Sequence, residues 1–128
     1  MDPRSEVVLR QQEFLSGSVL LVNAPCDELN TQLIGTVEPH FWTWNFNELQ
    51  YFQNQQSDVH FGTDLPDVAF DQAIVFVPKS KELLNYVLHQ LVSRLAVGAS
   101  IFLVGEKKGG VERASKPVSY THLRAHET

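Results

Sequence analysis

Apolar residues along the chain gather into short, nearly continuous runs. Segments of helical spacing separate them. "SVLLVN" (18–23), "QAIVFVP" (72–78) and "SIFLVG" (100–105) each hold several consecutive apolar residues between turn residues. That pattern predicts strands buried on both faces. "VEPHFWTWNF" (37–46) alternates instead, which predicts a strand with His40, Trp42, Trp44 and Phe46 on one face. "VHFG" (59–62) reads as a weaker strand. A first helix is expected near the start, capped by Ser5, with Val8, Leu9 and Leu15 on its apolar side and Gly17 ending it. "DELNTQLIG" (27–35) has acids in its first turn and a glycine after its last, as a short helix should. "ELQYFQNQQ" fits a helix or a continuing strand. The strongest helical pattern covers 80–98: Ser80 caps it, and Leu84, Val87, Leu88, Leu91, Val92 and Leu95 recur every three or four residues. Strands that alternate with helices and are themselves nearly all apolar predict an α/β fold. It is Rossmann-like, with a mostly parallel sheet and helices on both faces.

The last ten residues, "SYTHLRAHET", follow neither period. They resemble a translated adapter-derived tail, which sets a domain at 1–118 and a non-native tail at 119–128. On that reading the natural chain continues beyond Pro117 or Val118. The 128 residues suit one domain with a sizeable core. No apolar run approaches the ~20 residues of a bilayer span. The first residues lack a signal-peptide order, and the single cysteine, Cys26, has no internal disulfide partner. These features favour a cytoplasmic setting.

Net charge is −5, unevenly spread. Residues 1–64 hold two basic and nine acidic side chains, whereas residues 65–118 hold seven basic and five acidic. A polyanion would find its basic face only in the later part. Two loops there supply the candidates. Lys79 and Lys81 follow one predicted strand; Lys107, Lys108 and Arg113 follow another in "GEKKGGVER". In open α/β sheets the carboxyl ends of the strands form the ligand-facing edge. "GEKKGGVER" is not a phosphate-binding P-loop: three residues rather than four precede its glycine pair, and no Lys-Ser/Thr follows. A solvated turn competes with the RNA-contact reading.

The other candidate chemistry is sparse. The first predicted strand ends in "VNAPCDEL", with no glycine between Leu20 and Asn30, and Pro25 removes a backbone donor. A nucleotide or S-adenosylmethionine (SAM) needs a glycine-rich turn there so that backbone can approach it. His40, His60, His89, His122 and His126 show no metal-ligand spacing, so no metal site is expected. Cys26 reads as a small apolar filler with no base partner. Phe41, Trp42, Trp44 and Phe46 could stack bases, but alternating aromatics on a strand are more often core.

"SEVVLR", "VLLVNAPCDEL", "IVFVPKSK" (74–81) and "LAVGASIFLVGEKKGGVERA" (95–114) together resemble the N-terminal domain of bacterial ribosomal RNA small subunit methyltransferase C, over about residues 5–117. The resemblance implies one half of a two-domain, SAM-dependent 16S rRNA guanine-N2 methyltransferase. Its C-terminal domain would bind SAM and carry an Asn-Pro-Pro-Phe/Tyr motif; its N-terminal domain would support that half and help present the rRNA. Here Val77-Pro78-Lys79-Ser80 stands where that motif would be. No catalytic and no cofactor-binding residue is therefore expected in this chain, and SAM would belong to the other domain. The implied partners are that catalytic domain and the small-subunit rRNA or 30S subunit, with neither membrane nor metal. The rival reading is a protein–protein docking module without RNA contact. A stand-alone small-molecule enzyme is disfavoured by the missing glycine turn.

Overall fold

The computed structural model describes residues 1–106 and 118–126. Among these residues four α-helices, α1 (Pro3–Arg10), α2 (Leu29–Leu33), α3 (Phe46–Asn54) and α4 (Lys81–Arg94), accompany six strands. The strands are β1 (Ser18–Val22), β2 (Glu38–Thr43), β3 (Val59–Phe61), β4 (Gln72–Phe76), β5 (Ser100–Glu106) and β6 (Val118–Arg124). They form one sheet in the order β3-β2-β1-β4-β5-β6. The first five run parallel, and β6 lies antiparallel against β5. The sheet is thus mostly parallel, as the apolar runs predict.

The central strand explains that apolar character. β1 is hydrogen-bonded on both edges and covered on both faces, so Val19 through Val22 are wholly buried. One face packs Val19, Leu21, Phe41, Ile74, Phe76 and Phe102 against Val8, Leu29, Leu33 and Phe52 from α1, α2 and α3. The other packs Leu20, Val22, Trp42, Val75 and Ile101 against Val87, Leu91 and Leu95, in and just after α4. Helices therefore cover both faces. Leu91 sits fully inside; Leu88 only flanks this second core.

Gly17, just before β1, is required for two reasons. Its φ is +69°, and a Cβ there would lie 2.3 Å from the Asp71 carboxylate. That carboxylate accepts the Ser18 N–H at 2.9 Å and ties β1 to the approach to β4.

Three sequence expectations are corrected. Asp2, not Ser5, caps α1, accepting from the Arg4 N–H with Pro3 in the first turn; Ser5 is buried. The alternating strand ends at Thr43 rather than 46, because the Asn45 side chain accepts the Asn47 and Glu48 N–H groups and starts a helix. That helix, α3, settles the ambiguous "ELQYFQNQQ", and it takes Phe46 off the strand face. Within β2 the expected alternation holds: Phe41 stacks on Phe52 at 4.3 Å on one face, while Trp42 packs on the α4 face. Finally, residues of the predicted tail join the sheet. β6 pairs with all of β5, Tyr120 and His122 stack on Phe102, and Ala125 is buried. The alternation of Val118, Tyr120 and His122 is short and partly polar, so it carries little hydrophobic signal; the open edge of β5 supplies the backbone partners.

Candidate nucleic-acid interface

A parallel ladder brings the carboxyl ends of β1 to β5 to one edge, and the connections after β1 to β4 leave the sheet there. The turn after β1 is built without glycine. Asn23 adopts φ 61° and donates its backbone N–H to the Trp42 carbonyl at 3.0 Å. Its side-chain amide donates to the Phe76 carbonyl, also at 3.0 Å, so one residue ties the ends of β1, β2 and β4 together. Beside it Arg4 lies 5.8 Å from the Phe76 ring centroid and makes two 3.0 Å bonds to the Asp2 carboxylate. These bonds hold the Asp2 carboxyl below its usual range.

This part of the edge is acidic. Glu48 accepts from the Thr43 hydroxyl at 2.6 Å, yet burial raises its pKa. Burial, with help from Glu48 and Asp27, also pushes the Cys26 thiol up. Cys26 is exposed rather than a core filler, and the raised pKa keeps it a poorly reactive thiol.

The basic part lies further along. Lys79 and Lys81 are exposed and straddle Ser80, whose hydroxyl accepts the Leu83 N–H at 3.2 Å and caps α4. The β4 backbone continues beside β5, with the Val77 N–H on the Val104 carbonyl at 2.8 Å. β5 runs out at Glu106 on that side. Lys107, Lys108 and Arg113 lie outside the described residues. Three aromatic side chains share the edge. Phe46 and Phe61 are largely exposed, at 61% and 54%, and Trp44 is half-buried against Trp42. Sequence reasoning set Phe46 on a strand face and gave Phe61 no role; the Asn45 cap was the signal that turns Phe46 outward.

The structure also joins three residues that the sequence left apart. Phe41 pairs with Val59 and Trp42 with His60 in the parallel register of β2 and β3. This sets His40 beside Asp58, with His60 one pleat further on. His40 Nδ1 lies 2.5 Å from Asp58 Oδ2, and His60 Nε2 lies 3.1 Å from the same oxygen. Burial pushes the Asp58 carboxyl up, but the bonds from the two histidines outweigh it and leave it below its usual range. Linear spacing hides the cluster, because only the register makes 40 and 58 neighbours.

Residues 5–125 match the family described as methyltransferase small domain N-terminal. The chain belongs to that family. Among curated members of similar sequence, ribosomal RNA small subunit methyltransferase C of Acinetobacter baumannii (strain AYE) is 59% identical over 116 residues. The Acinetobacter baylyi protein of the same name is 60% identical, and that of Pseudomonas entomophila 47%. Each match covers 91% of this chain but 34% of the relative, so the chain spans about a third of their length. Among solved structures, the Thermus thermophilus 16S rRNA N2 G1207 methyltransferase, in complex with AdoMet and guanosine, superposes with TM-score 0.70 at 16% identity. It covers 98% of this chain and 39% of that one. TrmN from Thermus thermophilus gives TM-score 0.60 at 12% identity, covering 94% and 46%. These structural likenesses establish a methyltransferase-type Rossmann-like fold for this family member. Among the described residues, no helix is long and apolar enough to cross a membrane.

Proposed function

We propose that this chain is the non-catalytic N-terminal domain of a SAM-dependent 16S rRNA guanine-N2 methyltransferase of the cytoplasm. In this reading it supports a catalytic domain elsewhere in the protein and offers the carboxyl edge of its sheet to the rRNA. The observation that carries the proposal is the 59% identity to proteins named ribosomal RNA small subunit methyltransferase C. Two features of the edge support the division of labour. The turn after β1 is tied to β4 by the Asn23 side chain rather than opened by glycines. The segment after β4 reads Val77-Pro78-Lys79-Ser80, which has no side-chain amide to orient a target amine.

RNA contact would fall on phosphates rather than bases. Lysines act as mobile point charges, and no Asn or Gln accompanies Lys79 and Lys81 in their loop. Phe46 and Phe61 add exposed rings on which an unpaired base could stack. The test is a salt-dependent binding titration of the full-length protein with small-subunit rRNA, against a variant with Lys79, Lys81, Lys107, Lys108 and Arg113 all changed to Ala. Each lost phosphate contact should flatten the slope of log K against log salt by roughly 0.7–0.9. Unchanged affinity and slope would leave domain support, through protein–protein docking alone, as the role of this half.

A further inference from the structure

The geometry points to a divalent transition-metal site built by His40, Asp58 and His60, where β2 meets β3. Each residue offers one donor atom, and the three donors lie within 4.8 Å of one another. Two imidazole nitrogens and one carboxylate oxygen form a borderline donor set of the kind that takes zinc, cobalt or nickel. The sheet register holds two of these residues side by side, so the site is preorganised by backbone pairing and not by a flexible loop.

His40 supplies the strongest indication. It is 7% exposed, and its Nε2 is buried without a hydrogen-bond partner. Such an atom usually has a reason. Here Glu38 Oε1 stands 3.5 Å from it. Ligation through Nδ1 puts the remaining ring proton on Nε2, facing that carboxylate. A carboxylate behind a ligating histidine is the common outer partner of such sites, fixing tautomer and ring orientation. Glu38 is held in turn by the Ser18 hydroxyl, which donates to its other oxygen at 3.2 Å. Donors around a tetrahedral zinc stand about 3.3 Å apart, given metal–ligand bonds of about 2.0–2.1 Å. The Asp58–His60 separation of 3.1 Å already suits this. The His40–Asp58 pair at 2.5 Å must open by less than about 1 Å, an adjustment that falls on the half-exposed Asp58 side chain.

An entry path is present. His40 and Asp58 line a cleft of about 670 Å³ at the amino ends of the strands, together with Glu38, Ser57 and Asp71. Three protein ligands leave a fourth position for water or for a group arriving through the cleft.

The probe is Co²⁺ titrated into the full chain, followed by displacement with Zn²⁺. The expected result is saturation at one equivalent, visible ligand-field absorption from histidine coordination, and a melting temperature raised by several degrees in excess Zn²⁺. Asp58→Asn keeps the size of the side chain, and His60→Ala alters a partly exposed residue on an edge strand. Each should weaken binding tenfold or more, whereas His89→Ala, on the exposed face of α4, should not change it. If Asp58→Asn fails to fold, His60→Ala decides. No saturable binding, or equal affinity in wild type and His60→Ala, would overturn the site and leave the three residues as a hydrogen-bonded clamp between β2 and β3.

Discussion

Asn23 is the residue in which the turn after β1 differs most from what the sequence suggests. The lack of glycine there reads as loss of a left-handed turn. The chain makes the left-handed step anyway, because a short polar side chain that bonds locally tolerates that conformation. The consequence is a turn whose side chain spends its hydrogen bond on the Phe76 carbonyl within the domain. Asn23→Ala removes the bond and leaves an alanine at positive φ, and should cost about 1–3 kcal/mol. Asn23→Gly keeps the backbone and loses only the bond, so urea melts should place it between wild type and alanine. Equal midpoints for all three proteins would show that the bridge adds nothing. Individual histidines illustrate the opposite limit. Nothing in the separate stretches around His40, Asp58 and His60 marks them as a group, since pairing between strands is a tertiary fact.

Among whole elements, α4 and the three buried strands were legible because burial on both faces, or along one helical stripe, writes an unmistakable apolar period. The end of β2 was not, because strand alternation runs without a break into the first turn of α3 and only the Asn45 cap separates them. β6 was missed for a different reason. Its stability rests on backbone pairing with β5 and on ring contacts to Phe102, neither of which needs a long apolar run. Tyr120 gives this element a pH signature. Burial pushes its hydroxyl from 10 up to about 12. The docked strand therefore favours the neutral phenol. The stabilisation is complete below pH 10 and is lost as pH rises through the window from 10 to about 12. A phenolate absorbance titration of wild type minus Tyr120→Phe should have its midpoint near the upper end of that window. A midpoint near 10 would mean that β6 stands off the sheet.

At the scale of the molecule, the parallel order and the two covered faces follow directly from the sequence pattern, and the family match fits them. The candidate edge is only half legible in the sequence. Lys79 and Lys81 could be placed after a strand from sequence, whereas the acidic side chains of Asp2, Asp27 and Glu48 needed the fold to bring them together. The acidic side chains there disfavour a carboxylate-bearing ligand beside β1, and Asn23 holds the first turn closed on the Phe76 carbonyl. Calorimetric titration of the chain with SAM should accordingly show no binding in the low-micromolar range. A measured affinity in that range would mean that the turn opens, and would return this domain to the candidates for catalysis.

The order of the strands also sets a timetable. β1 lies at the centre, yet one of its neighbours, β4, lies some fifty residues downstream, and Ser18 reaches Asp71 across a separation of 53. A chain emerging from the ribosome therefore displays its most apolar strand long before the second edge of that strand can be covered. Closing such a loop costs entropy that no local contact returns. Refolding should belong to the slow regime of non-local pairing rather than the microsecond regime of helical bundles. During that interval "SVLLV" is the segment most exposed to mispairing with another chain.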